Sequence, residues 1–113
     1  MSGDPARALA KLLRAEIVNF MNFVNFPSRV EVTPVASTAW ASITFTGARH
    51  SLRAVVEGPG AVGAAADFLA SVEELDLPIP GHIVADICLV AQERGDGGGY
   101  AYLELEALTI EDC

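Results

Sequence analysis

Carboxylates concentrate near the end of the chain at a spacing that could support chemistry. In the second of two predicted hairpins, Asp86 lies opposite Glu106, and Glu104 lies two residues along on the same face. Neighbouring carboxylates raise the pKa of one of them, and an acid–base pair or an oxygen-ligated cation site uses such groups. With His82, which shares the face, these residues form the candidate polar site. Neutralisation by an arginine of this chain or of a partner, or plain solvation, is the simpler interpretation.

Other residues that could do chemistry lack a supporting pattern. His82 and Asp86 lie four residues apart on one strand, about 13 Å at the backbone, which is too far for both to chelate one metal ion unaided. His50, expected in a hairpin loop beside Arg49, is either a general base or an ordinary surface histidine. The two cysteines form no CxxC pair, and no G-x-S-x-G sequence occurs. We therefore assign no catalytic residue, cofactor or metal ligand from the sequence.

Two glycine-rich segments have the form of ligand-binding loops. Residues 58–63 match G-x-G-x-x-G, but Pro59 lacks an amide donor, and no carboxylate follows at the expected position. A glycine–proline helix start explains this segment better, although the sequence leaves anion binding there open. Residues 96–99 lack the lysine of a P-loop and the spaced acids of an EF-hand. They are typical of a flexible hairpin tip.

Hydrophobic periodicity predicts the elements that must position these residues, in a single domain of residues 1–113. Asp4 and Pro5 are typical of a helix start. Pro34 places the first strand at a sheet edge. The predicted elements are helices at 5–24 and 61–75 and strands at 30–36, 38–46, 51–57, 82–93 and 100–110. Their order, α-β-β-β-α-β-β, predicts an α+β fold: a two-layer structure with a five-stranded, mainly antiparallel sheet and both helices on one face.

Alternation along the strands predicts which residues meet across each hairpin. The first hairpin is expected to turn at 47–50 and the second at 94–99. In the first, the core-facing residues are Ala41, Ile43 and Phe45, opposite Val56, Ala54 and Leu52. In the second, the core-facing pairs are Ala91 with Ala101, Leu89 with Leu103, Ile87 with Leu105, and Ala85 with Ala107. The second helix is expected to bury Val62, Ala65, Ala66, Leu69 and Val72.

The sheet face without helices must meet water or a partner. In the predicted register it carries the only tryptophan and both tyrosines of the chain, together with aliphatic residues. Aromatic residues at an otherwise polar surface are typical of an interface, and a two-fold pairing is the commonest arrangement. The alternative is that the curved sheet or the C-terminal tail covers the face. The candidate interface comprises Trp40, Arg53, Val55, Val84, Val90, Tyr100 and Tyr102.

Composition limits the function classes. The chain is 51% hydrophobic and 19% charged, which excludes a disordered tail, and no apolar stretch approaches the roughly 20 residues of a membrane span. A net charge of −8 without a basic stripe argues against nucleic-acid binding. Two sparse cysteines favour a reducing cytosol.

These observations predict a small acidic cytoplasmic protein that acts as a homo-oligomeric interaction or scaffolding module through its exposed sheet face. A homodimer or another protein partner is expected, with neither nucleic acid nor membrane. The alternative is a small-molecule-binding protein or enzyme that uses the carboxylate and histidine site on the same face. No reaction follows from the sequence.

Overall fold

The computed structural model describes residues 4–21 and 29–112 as an α+β fold with two helices and one four-stranded antiparallel sheet. The strands lie in the order β1-β2-β4-β3, so β2 and β4 are central. No helix in these two ranges is long and apolar enough to cross a membrane. The elements are α1 (Pro5–Met21), β1 (Arg29–Ala41), β2 (Thr46–Glu57), α2 (Ala61–Ser71), β3 (His82–Arg94) and β4 (Tyr100–Glu111), with short 3-10 turns at Val72–Glu74 and Asp96–Gly98.

The prediction of five strands is wrong because the first two predicted strands form one. Strand β1 continues through Pro34, and its pairing with β2 shifts between Pro34 and Ala36, so that Val35 is the extra residue of a β-bulge. A proline cannot donate a ladder hydrogen bond, and a strand tolerates it at an edge. The predicted edge position of this strand is confirmed.

The first hairpin turns at Ser42–Phe45 rather than at 47–50. The backbone N–H of Ser42 donates to the carbonyl oxygen of Phe45 at 2.7 Å, and the N–H of Phe45 donates to Oγ of Ser42 at 3.1 Å. Ile43 at the apex is fully exposed and Phe45 is more than half exposed, so the prediction that both face the core is wrong. Gly47 serves another purpose, because a Cβ atom there would overlap the carbonyl oxygen of Thr109 on β4.

The two helices begin as the sequence predicts. The carboxylate of Asp4 accepts a hydrogen bond from the N–H of Ala6 at 3.0 Å, and α2 starts after Gly60, whose φ is 81°. The predicted last residues of α1, 22–24, lie outside the described residues. Helix α2 ends at Ser71 and buries Phe68 instead of Ala66, which is exposed.

Both helices pack on one face of the sheet. Alternate residues of β2 (Leu52, Ala54, Val56) and of β4 (Ala101, Leu103, Leu105, Ala107) are buried beneath them. The predicted inward positions of Leu52, Ala54 and Val56 are thus confirmed. We call the opposite side of the sheet, which points away from α1 and α2, the outer face.

The pairing of β3 with β4 differs from the predicted register. Leu89 lies opposite Leu105 and Ile87 opposite Ala107, each two positions from its predicted partner. Shifts between Val84 and Asp86 and between Leu89 and Ala91 add two bulges. A bulge reverses which face the following residues occupy, and a regular alternation cannot represent it. The loop between the strands holds Gly97 and Gly98 at φ 79° and 77°, and within the described part of the chain a Cβ at either position would meet no atom within 4 Å.

Candidate interaction face

One end of the outer face is apolar. The strand register aligns four positions in a row across the sheet: Trp40 on β1, Gly47 on β2, Ile110 on β4 and Ile83 on β3. Trp40 and Ile110 are partly buried, whereas Ile83 is more exposed, with 51% of its surface accessible. Gly47 lets the indole of Trp40 lie close over the sheet, since a Cβ at Gly47 would lie 3.0 Å from the ring. The Nε1 atom of Trp40 is buried without a hydrogen-bond partner among the described residues.

In the middle of the outer face, two arginines of one central strand lie beside two glutamates of the other. Arg49 and Arg53 extend from β2, and Glu104 and Glu106 extend from β4. Nε of Arg49 lies 3.5 Å from the carboxylate of Glu106. Arg53 lies directly opposite Glu104 in the register, but the two side chains make no direct ion pair in the described structure.

Tyr102 joins Arg53 to Glu104. Nε of Arg53 donates to the phenol oxygen of Tyr102 at 2.9 Å, and that phenol donates to the carboxylate of Glu104 at 2.8 Å. The guanidinium carbon of Arg53 lies 5.9 Å from the centre of the Tyr102 ring. The hydrogen bond to Glu104 raises the pKa of Tyr102, and the hydrogen bond from Arg53 opposes this in part. The three side chains form one polar network on an exposed surface.

A shallow depression lies over the middle of this face. Its volume is about 240 Å³, and its lining includes Ser51, Arg53, Tyr102 and the bulge residues Val35 and Val90. Typical small-molecule pockets are larger, at about 300–1,000 Å³, and enclose most of their ligand. The depression therefore suits a knob of protein surface better than an enclosed ligand.

The structure places all but one of the predicted interface residues at the outer face. Trp40, Arg53, Val55, Tyr100 and Tyr102 lie on it by strand register, and Val90 lines its depression. Val84 is the exception. It lies opposite Thr109 and packs against the core beneath the helices.

The predicted polar site is not assembled. Asp86 lies opposite Leu108 rather than Glu106, and Glu106 lies opposite Cys88. His82 lies opposite Glu111 on the helix side, so it does not share a face with these carboxylates. The bulge after Val84 moves His82 to the helix side, because it reverses the faces of the residues that precede it, whereas Asp86 is separated from Glu106 by the two-residue difference in register. The alternative site of His82, Asp86, Glu104 and Glu106 therefore loses its histidine and its opposed carboxylates.

A polar cluster that sequence reasoning missed lies inside the fold. His50 is 1% exposed in the middle of β2, not in a loop. Its Nδ1 lies 2.7 Å from Oγ of Ser37 on β1, and its Nε2 lies 2.9 Å from Oγ1 of Thr109 on β4. Burial lowers the pKa of His50; the nearby carboxylate of Asp4 opposes this shift and His82 adds to it. Extending the alternation of Leu52 and its buried neighbours back along the strand would have found this position.

The cluster resembles a nucleophile and base pair only in part. A hydroxyl bonded to an imidazole that a third group orients is the arrangement of nucleophilic catalysis. Here the third group is the hydroxyl of Thr109, which carries no charge to stabilise an imidazolium. The hydroxyl of Thr109 also lies 3.4 Å from the carbonyl oxygen of Ala48, so these contacts connect three strands. Their evident effect is structural.

Within residues 4–21 and 29–112, no three histidine, cysteine or acidic side chains come close enough to hold a metal ion. None of the known protein-family models matches the chain, and no curated protein matches it either.

Proposed function

We propose that this chain is an interaction module that pairs with a second copy of itself through the outer face. The supporting observation is the composition of that face. Trp40, Ile110 and Ile83 form an apolar row across one end of the sheet. Further along the strands, two arginines of β2 lie beside two glutamates of β4. Apolar and aromatic groups next to complementary charges are what a protein interface requires, whereas a solvated face needs only the charges.

The sheet edges are less suited to this association. Bulges interrupt both edge strands, at Pro34/Ala36 in β1 and at Val84/Asp86 and Leu89/Ala91 in β3. Pro34 also removes a backbone donor. An interrupted edge is a poor template for a further strand, so we place the contact on the face.

The dimensions of the face fit a stable contact. Four strands of 12 or 13 residues, spaced about 4.8 Å apart with a rise of about 3.3 Å per residue, cover roughly 750 Å². A standard interface buries about 800 Å² on each partner. The exposed thiol of Cys88 on this face fits a reducing compartment, and we keep the cytosol as the proposed location.

Sedimentation velocity over a micromolar concentration series tests this proposal with two matched variants. Ile83→Asp places a charge in the apolar row of the outer face, and Ile43→Asp places the same charge on the more exposed isoleucine at the hairpin apex. We expect the wild type and Ile43→Asp to sediment as dimers and Ile83→Asp as a folded monomer. A wild-type monomer throughout the series, or equal dimerisation of the two variants, would contradict the proposal.

A further inference from the structure

We propose that the two-fold axis of this dimer runs parallel to the strands, midway between β2 and β4. This inference rests on the proposed pairing of outer faces. When two sheets pack face to face with aligned strands, the axis lies between them and runs either along the strands or across them. The two cases put different residues in contact, so the charges of the two central strands distinguish them.

An axis across the strands leaves each strand over its own copy. The arginines of β2 would then face the arginines of the second copy's β2, and the glutamates of β4 would face the glutamates of the second copy's β4. Like charges placed opposite each other at an interface cost several kcal/mol. The charges of the two central strands therefore oppose this axis.

An axis along the strands, midway between β2 and β4, places each central strand over the other. Each row of paired residues across the sheet then lies over the same row of the second copy, because rotation about this axis does not change position along the strands. Arg53 of each copy then faces Glu104 of the other. Among the described residues of one chain these two groups are joined only through the hydroxyl of Tyr102, so the guanidinium retains donors for the second carboxylate.

The apolar row is also self-complementary about this axis. Because β1 exchanges with β3, Trp40 faces Ile83 of the second copy, and Ile110 faces the Gly47 position, beside which the indole of that copy's Trp40 lies. The bulge residues Val35 and Val90 occupy nearly the same level of the sheet, so they also meet across the interface. An axis across the strands would place this row over itself only if the axis passed through the row, and would otherwise place it over a different row.

Reciprocal charge reversal tests the axis. In Arg53→Glu alone two glutamates face each other at both contacts, and in Glu104→Arg alone two arginines do. We expect either variant by itself to self-associate at least about tenfold more weakly than the wild type. An equimolar mixture restores opposite charges at both contacts, so we expect a heterodimer close to wild-type affinity. Circular dichroism checks that each variant is folded.

The outcomes separate the axis from the dimer itself. A folded mixture that stays monomeric, beside a dimeric wild type, would overturn the axis and leave the proposed function standing. A monomeric wild type would overturn both.

Cross-linking gives a second readout that does not depend on charge. Ala36 and Cys88 lie in one row on opposite edge strands, so the proposed axis brings Ala36 of one copy over Cys88 of the other. In a Cys113→Ser background, Ala36→Cys should yield covalent dimers with a short bis-maleimide, whereas Ala39→Cys, on the helix side of β1, should not. Equal cross-linking of the two variants, or of the background alone, would contradict the axis.

Discussion

The hydroxyl of Ser37 lies 2.7 Å from Nδ1 of His50, and the other nitrogen of that imidazole lies 2.9 Å from the hydroxyl of Thr109. If Thr109 donates to the carbonyl oxygen of Ala48, its oxygen accepts from Nε2–H, and Nδ1 is the acceptor for Ser37. This assignment makes His50 a neutral imidazole with both nitrogens bonded. A proton added at Nδ1 would displace the hydrogen of Ser37 and bury a charge.

Stability should therefore fall on mild acidification through His50. Its pKa in the folded chain is lowered from the ordinary value of 6.5, so the unfolded chain binds the proton first as the pH drops below about 6.5. The free energy of unfolding is then fully retained above that pH and declines towards the lower folded pKa. Urea unfolding of the wild type and of His50→Gln between pH 8 and pH 5 measures this. The wild type should lose more stability than the variant, and parallel pH curves would show that His50 does not contribute.

Removal of the hydroxyl of Thr109 should cost more stability than removal of the hydroxyl of Ser37. Thr109→Val keeps the shape of the side chain but leaves a buried imidazole nitrogen unbonded, at a cost of about 1–3 kcal/mol. Ser37 is exposed, so water can replace its hydroxyl in Ser37→Ala, and we expect a loss below about 1 kcal/mol. Chemical denaturation of the two variants provides the comparison. A larger loss for Ser37→Ala would contradict this account of the cluster.

Two glycine-to-alanine substitutions should have opposite effects on stability. At Gly47 the new methyl group would overlap the carbonyl oxygen of Thr109 and press on Trp40, so we expect a loss of about 1–3 kcal/mol. At Gly63, within α2, a Cβ meets no atom of the described residues within 4 Å, and alanine should add about 0.5–1 kcal/mol through its helix propensity. Thermal unfolding of both variants checks this. Equal effects would mean that the close approach of β2 and β4 at Gly47 does not constrain the fold.

The phenol of Tyr102 should ionise at higher pH than an ordinary tyrosine. Its hydrogen bond to the carboxylate of Glu104 favours the protonated form and raises its pKa. Glu104→Gln removes that negative charge, so the pKa of Tyr102 should fall. Ultraviolet titration of the two tyrosines records the change, and Tyr102→Phe identifies which transition belongs to this residue. An unchanged titration in Glu104→Gln would contradict the network.

The sequence predicted much of the fold through alternation, and it failed where alternation is interrupted. Leu52, Ala54 and Val56 face inward because a half-buried strand must bury every second side chain. The start of α1 follows from Asp4, whose carboxylate accepts a hydrogen bond from the N–H of Ala6 in the first turn. The turn was misplaced because Gly47 is typical of turns, whereas here glycine allows the close approach of two strands and Ser42 closes the turn.

The face on which each residue lies was predicted better for the candidate interface than for the candidate polar site, for the same reason. Trp40, Arg53 and Tyr102 belong to regular stretches of strand, so counting in twos gives their face. His82 and Val84 precede a bulge, which reverses their face and separates them from Asp86. Bulges arise from local backbone conformation and have no distinctive residue pattern here. A site that spans a bulge could not be predicted from strand periodicity.

The loop through Gly97 and Gly98 also has a practical consequence. It lies at the end of the sheet opposite the Ile43 hairpin apex, and both glycines have open space where a side chain would begin. Added residues at an exposed loop tip disturb few native contacts. A peptide epitope inserted between these two glycines, or a fluorescent label attached there, would allow the protein to be detected without contacting Trp40, Arg53 or Glu104.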